Sequence, residues 1–308
     1  MWLDENIYIL DTKWGGYREA IASYLVRSND EYALIDTGYG ATTNEIIRQL
    51  DQLGVGERQL KYIILTHTHL DHMGGAGLLL DKYSEARVVT TEAGILNLIR
   101  PLRMYYGAKM VFGEDFNIDF GKVKDVPKES MYIVEDGDEL KLGDLTLRMV
   151  ETPGHTRDHI SIYIPENKTL ITGDAVCNKY PGFDVLIPPA SPPLYPVSVV
   201  TESINKIRRL KLDRLLIPHF GEVTQPEEFL EENIRVVSEW KDYIINNLMK
   251  GHDYHQLVDM IKYKLIREAK STPDTMPKYV KEVVLPTLIR ISVLGYMATY
   301  INRFPPET

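Results

Sequence analysis

The sequence predicts a layered α/β domain followed by a helical C-terminal domain. Two observations carry this expectation. Short apolar runs bounded by turn residues recur through the first 220 or so residues, with a helically spaced run between two of them, and the composition shifts to long helical patterns after Gln225. With 44% hydrophobic residues in a chain of 308, there is enough apolar material for a sizeable core.

Residues 7–11 and 20–35 read as strands, the second region as two. Turns at Trp14-Gly15-Gly16 and Ser28-Asn29-Asp30 break them, and Gly38 to Gly40 form the next turn. Residues 43–53 have helical spacing, with Ile46, Ile47, Leu50 and Leu53 on one face. The apolar run at 62–65 reads as a buried strand, and further strands are expected at 87–89, 131–134, 145–151, 160–164, 169–172 and 214–217. Residues 101–130 and 178–196, rich in aromatics or prolines, read as long loops that would select a substrate. The boundary falls near Thr224, dividing the chain into units 1–224 and 225–308. After it, Pro226 is followed by acidic residues suited to the first turns of a helix. Residues 227–249, 254–270 and 277–302 read as three helices, broken at Gly251-His252-Asp253 and Ser271-Thr272-Pro273-Asp274. The last is strongly apolar, but Pro286 and Arg290 interrupt it, so core packing or a subunit interface is expected of it. No uninterrupted apolar segment is expected to cross a bilayer.

Chemistry concentrates at the ends of the strands. Directly after the 62–65 run comes Thr66-His67-Thr68-His69-Leu70-Asp71-His72, which packs three imidazoles and a carboxylate into six residues. Imidazole is the commonest nitrogen ligand for zinc and also suits iron, and the carboxylate supplies a harder oxygen ligand. A His-x-His pair alone is equally compatible with two surface histidines. Six of the eight histidines, however, lie in three short segments: this run, Gly154-His155-Thr156-Arg157-Asp158-His159, and Pro218-His219-Phe220-Gly221. Each follows an expected strand, as does Gly173-Asp174, so four segments can converge on one sheet edge. Asp36 also ends an apolar strand, where it can orient a metal-bound histidine or cap the turn at Gly38.

These motifs, in this order and at this spacing, resemble the metallo-β-lactamase superfamily of metallohydrolases. The resemblance covers about the first 220 residues and implies a four-layer αββα sandwich with its metals in a cleft at one edge. It implies that His67, His69 and His155 hold one metal, that Asp71, His72 and His219 hold another, and that Asp174 bridges them. Two divalent ions are expected, zinc foremost, with iron or manganese as alternatives. The implied chemistry is attack by a metal-bridging hydroxide, oriented by Asp71, on a thioester, ester or lactone. Thr152-Pro153-Gly154-His155-Thr156, with His159 beyond, looks most like the glyoxalase II and lactonase branches. In glyoxalase II a lysine and a tyrosine after the bridging Asp help to hold glutathione. Here Lys179 and Tyr180 come sooner and adjacent, so that correspondence is incomplete.

Tyr105, Tyr106, Phe112, Tyr180 and Phe183 are candidates to line an apolar substrate pocket, or else to pack the loops onto the domain. Cys177 reads as a small buried side chain, and His159 as a hydrogen-bonded structural residue. A nuclease or phosphodiesterase of the same superfamily would use the same ligands, but a net charge of −9 without a basic patch disfavours a nucleic acid partner. An iron-dependent persulfide dioxygenase shares several ligands, and a non-catalytic metal-binding protein is the third alternative. The expected partner is a small-molecule substrate, without a membrane and with homo-oligomerisation left open. One cysteine and no export-signal pattern at Met1-Trp2-Leu3-Asp4-Glu5 predict a cytoplasmic protein.

Overall fold

A computed structural model describes residues 1–113, 117–192, 195–269, 272 and 275–301. The first sheet has six strands: β1 (Ile7–Asp11), β2 (Ala22–Ser28), β3 (Glu31–Ile35), β4 (Leu60–Ile64), β5 (Arg87–Thr90) and β6 (Met131–Ile133). They lie in sequence order, antiparallel from β1 to β3 and parallel from β3 to β6. Parallel neighbours need a crossover. Helix α1 (Thr43–Gln52) supplies it between β3 and β4, the short α2 (Leu70–Met73) and α3 (Ala76–Leu79) between β4 and β5, and α4 (Ile95–Ile99) and α5 (Leu102–Phe112) between β5 and β6.

The second sheet contains β7 (Glu139–Leu142), β8 (Leu145–Glu151), β9 (Ile160–Ile164) and β10 (Thr169–Ile171). A hairpin of β11 (Asn178–Tyr180) and β12 (Phe183–Ile187) and helix α6 (Val197–Arg208) then intervene before β13 (Arg214–Ile217) and β14 (Gly221–Val223) complete that sheet. Its order is β14-β13-β10-β9-β8-β7.

Strand alternation sorts the side chains into layers. Ile7, Ile9, Ala33, Ile35, Ile64 and Val89 of the first sheet meet Leu147, Met149, Ile160, Ile162 and Ile171 of the second in one buried cluster between the sheets. The opposite faces are covered by helices. Leu34 and Ile63 share a cluster with Ile46 and Leu50 of α1, and Leu170 and Leu215 share one with Ile204 and Ile207 of α6. The result is the expected αββα arrangement.

Helices α7 (Pro226–Met249), α8 (Tyr254–Glu268) and α9 (Ile289–Tyr300) complete the chain. Asp253 caps α8 through its side chain and Gln256, a reciprocal pair that satisfies two otherwise unpaired N–H groups. The expected ends of the last two helices at 270 and 302 lie outside the described residues. Before α9, residues 280–288 form a π-helical stretch containing Pro286. Proline has no N–H to give the usual ladder, and a wider turn carries the chain past it without a break. This corrects the reading of Pro286 as an interruption. Residues 280–300 form 21 helical residues, long and apolar enough by composition to span a bilayer, yet more than half of the stretch is buried within the molecule.

The other corrections concern the two expected loops. Residues 102–112 are helix α5, and the hairpin β11–β12 and the start of α6 occupy much of the Pro-rich segment and its sequel.

Candidate metal centre

The residues that matter sit where strands end. β4 ends at Ile64 and delivers the 66–72 turn, β8 and β9 flank the loop carrying His155, β10 runs into Asp174, and β13 runs into His219. This is the carboxyl edge of parallel pairs β3–β4 and β10–β13, where α/β sheets leave a crevice. Gly173 makes the turn that presents Asp174 with φ of +53°, and a Cβ there would stand 2.7 Å from His159 Nε2 and from Thr66 Cβ. Any other residue at that position would push the floor of the site apart.

All seven expected ligands converge. His69 Nδ1 lies 3.0 Å from His67 Nε2 and 2.8 Å from His155 Nε2. Three nitrogens sharing one tetrahedral ion at about 2.0–2.1 Å would stand roughly 3.3 Å apart, close to this spacing. A second set comprises Asp71, His72 and His219, and Asp174 reaches both. Asp174 Oδ2 is 3.3 Å from His155 Nε2 and 3.8 Å from His72 Nε2, and its Oδ1 is 3.8 Å from His219 Nε2. Asp174 thus stands between the two clusters of candidate ligands.

The outer ring nitrogens are occupied, which turns the inner ones inward. His155 Nδ1–H donates to the Pro189 carbonyl, His219 Nδ1–H to the Ala20 carbonyl at 3.1 Å, and His72 Nδ1–H to Asp36 Oδ2 at 2.8 Å. Asp36 thus has the orienting role open to it in the sequence, and it also accepts from the backbone N–H of Thr66 at 2.8 Å. By contrast, His72 Nε2 and Asp174 Oδ1 are buried without hydrogen-bond partners. Buried polar atoms are rarely orphaned, and orphans that face other ligand atoms fit a cation.

Electrostatics point the same way. Burial and the neighbouring imidazoles hold His67 and His155 well below the usual histidine range, so both are neutral donors of a lone pair. Burial opposes charge on His72 as well, but Asp36, Asp71 and Asp174 outweigh it and push its pKa up to about 10. A buried cluster of carboxylates thus draws a proton to the position where a second cation would stand. Burial also raises Asp174, whereas His72, His219 and His69 keep Asp71 lowered against burial.

Sequence reasoning missed Asp158, which is buried and supports the turn from behind. Its Oδ2 accepts from Thr68 N–H at 2.9 Å and Thr68 Oγ1–H at 2.6 Å, between the candidate ligands His67 and His69. Asn97 Nδ2 adds a bond to Thr68 Oγ1 at 2.8 Å. The signal available was the carboxylate beside His159, which reads from sequence as an ordinary loop residue. His159 itself pairs through Nδ1 with Thr152 Oγ1 at 2.9 Å, as a structural residue should.

Over the centre lies a cavity of about 230 Å³. Trp14, Tyr39, Met104, Phe112, Tyr180 and Ile291 are among its walls. Of the expected substrate-binding residues, Phe112 and Tyr180 face this cleft, with the Tyr180 ring 5.6 Å from that of His219. Three expected residues fall elsewhere. Tyr105 packs edge-on against Phe120, Phe183 is fully buried in the core, and Tyr106 is solvent-exposed on the outer side of α5. Helical periodicity accounts for Tyr106, which lies on the face of α5 opposite Met104, Ala108 and Val111. Cys177 is buried as expected, and burial pushes its thiol far up.

The fold and this ligand set define a class of metal-binding hydrolases. The profile of the metallo-beta-lactamase superfamily matches residues 16–219, and the chain belongs to that family. A metallo-beta-lactamase fold-containing protein of Sulfurisphaera tokodaii is 28% identical over 224 residues, covering 70% of this chain and 81% of that one. A hydroxyacylglutathione hydrolase of Crocosphaera subtropica is 28% identical over 186 residues, 59% of this chain and 56% of the relative. This chain thus spans little more than half of that relative's length. A metallo-beta-lactamase family protein of Thermus thermophilus superposes with a TM-score of 0.67 at 20% identity, covering 98% of this chain and 95% of the other. That coverage extends the likeness in fold to the C-terminal helices.

Proposed function

We propose that the chain is a binuclear, zinc-loaded hydrolase of an ester, thioester or lactone that carries an apolar acyl group. The observation that carries this reading is the convergence of seven ligand groups with two of their atoms orphaned at the base of an apolar cleft. His67, His69 and His155 would hold one ion, Asp71, His72 and His219 the other, with Asp174 between. Two divalent cations there would supply hydroxide near neutral pH and take up charge on the scissile oxygen.

The rest falls to the protein. Asp36 fixes the ring of His72, Pro189 fixes that of His155, and Asp71 keeps an ionised carboxylate at the cleft floor to orient the nucleophile and accept its proton. Trp14, Tyr39, Phe112 and Ile291 bind the acyl group and exclude water. Among the described residues lining the cleft there is no lysine or arginine. This favours an uncharged acyl substrate over glutathione conjugates and phosphodiesters, both of which carry negative charge. A buried free cysteine accords with a cytoplasmic setting.

Metal analysis by mass spectrometry followed by a substrate panel tests the reading. Two zinc equivalents per chain are expected, with turnover of p-nitrophenyl esters, acyl thioesters and lactones that improves as the acyl chain lengthens. A single iron with oxygen consumption on a persulfide, or turnover confined to RNA and phosphodiesters, would replace it.

A further inference from the structure

Helix α5 has two apolar faces. Met104, Gly107, Ala108 and Val111 point into the cleft over the metal centre. On the opposite side Leu102, Tyr106 and Met110 repeat at i, i+4 and i+8 and are 56%, 61% and 84% exposed. At about 100° per residue these three span an arc of roughly 80°, and Lys109 and Arg103 fall just outside it, one on each side. Both cations are exposed, and neither is in an ion pair among the described residues. Within the helix, residues 102–112, the only charged side chains are the cations Arg103 and Lys109; Glu114 and Asp115 follow it in sequence, and Asp119 lines the groove beside Tyr106 and Met110.

A soluble helix ordinarily exposes its polar face. Here the exposed face is apolar, and no side chain of the helix is fully buried. With its inner face packed over the cleft, the exposed apolar stripe can enter the acyl chains of a lipid interface while the bracketing cations meet anionic headgroups. The two charges carried by the helix itself are opposite in sign to the chain's net charge of −9.

We propose that α5 docks the protein onto an anionic lipid surface. The same helix forms a wall of the cleft, so docking brings the cleft to one helix diameter, roughly 10 Å, from the lipid surface. On the hydrolase reading above, this makes amphiphilic esters or thioesters in that surface the substrate pool. The docking claim stands apart from that reading, and it revises the expectation of no membrane partner.

Flotation with vesicles of phosphatidylcholine alone, and of phosphatidylcholine mixed equally with phosphatidylglycerol, tests the docking claim on the full chain. Association with the mixed vesicles, weakened by salt, is expected. The double variant Leu102→Asp/Met110→Asp should lose at least about tenfold in partitioning, and Arg103→Glu/Lys109→Glu should lose the salt-sensitive part. Hydrolysis of a water-soluble p-nitrophenyl ester and the melting temperature should be unchanged in the first variant, which separates lost docking from lost folding. No association of the wild type, or equal association of wild type and Leu102→Asp/Met110→Asp, would overturn the proposal. So would a wild-type dimer that the aspartates dissociate in the absence of lipid, since a second copy would then cover the face. If vesicles bind but no ester is turned over, the hydrolase reading fails and the docking surface remains.

Discussion

Asp158 offers the sharpest test of how the metal turn is held. Both bonds from Thr68 end on one oxygen, Oδ2, at 2.9 and 2.6 Å in a buried setting. A hydrogen bond to a charged acceptor contributes about 1.5–3 kcal/mol, and a buried N–H left unpaired carries its full desolvation penalty. In Asp158→Ala the Thr68 hydroxyl can turn away while still accepting from Asn97, but the backbone N–H cannot. The expected loss is therefore about 3–4 kcal/mol, nearer the lower end of the summed pair. Asp158→Asn keeps an oxygen where Oδ2 stood, so it can accept both bonds and should lose only the charge assistance, about 1 kcal/mol. Thr68 lies between His67 and His69, and the same loosening should weaken metal binding by about 10–100-fold in the alanine variant. Urea unfolding of the metal-free proteins measures the first effect, and competition with a chelator measures the second. The reasoning is refuted if Asp158→Ala stays within about 1 kcal/mol of the wild type, or if Asn proves as damaging as Ala.

Three further outcomes are expected. Asp174→Ala removes the carboxylate that reaches both ligand sets, so metal content should fall below two ions and turnover with it; two ions still bound in the variant would contradict the bridging role. Glu45, paired with Arg48 at 2.6 Å and Lys13 at 2.7 Å, has its pKa drawn down from 4.5 to about 2. The folded pKa is the lower one, so the stabilisation is present above about pH 4.5 and disappears as the pH falls toward 2; after solvent screening it amounts to about 1 kcal/mol, which Glu45→Gln should lose at pH 7 but not at pH 2. Gly295→Ala ought to help a helix by about 1 kcal/mol, yet its Cβ would come 2.0 Å from the Ala190 carbonyl oxygen, and thermal melting should show a net loss of about 2 kcal/mol or more.

The sheets and the cluster of candidate ligands were legible in the sequence because each depends on local signals. β1, β8, β9 and β13 are apolar runs bounded by turns, and the ligands are chemically distinctive residues placed just after such runs. β7 and β14 escaped because Glu139–Leu142 and Gly221–Val223 are short and partly exposed, so pairing with β8 and β13 defines them more than their composition does. Helix α5 escaped for a related reason. With Leu102, Tyr106 and Met110 outward and Met104, Ala108 and Val111 inward, its apolar residues surround the axis and leave little amphipathic period to read. Asp158 was invisible because its partner, Thr68, is 90 residues away.

The C-terminal helices matter to the site through one short loop. Ser292 Oγ–H donates to the Pro188 carbonyl at 2.9 Å, and Gly295 brings α9 against Ala190. Between these two clamped residues, the Pro189 carbonyl accepts from His155 Nδ1–H. The orientation of the candidate ligand His155 is thereby tied to α9 through three consecutive residues, while Tyr279, Leu288 and Ile291 from the same region wall the cleft. Since the segment that aims His155 also shapes the apolar pocket, a change in the packing of residues 279–295 should alter acyl selectivity and metal affinity together. The superfamily profile ends at residue 219, so Tyr279, Leu288, Ile291 and Ser292 add to the cleft a wall from beyond the matched region.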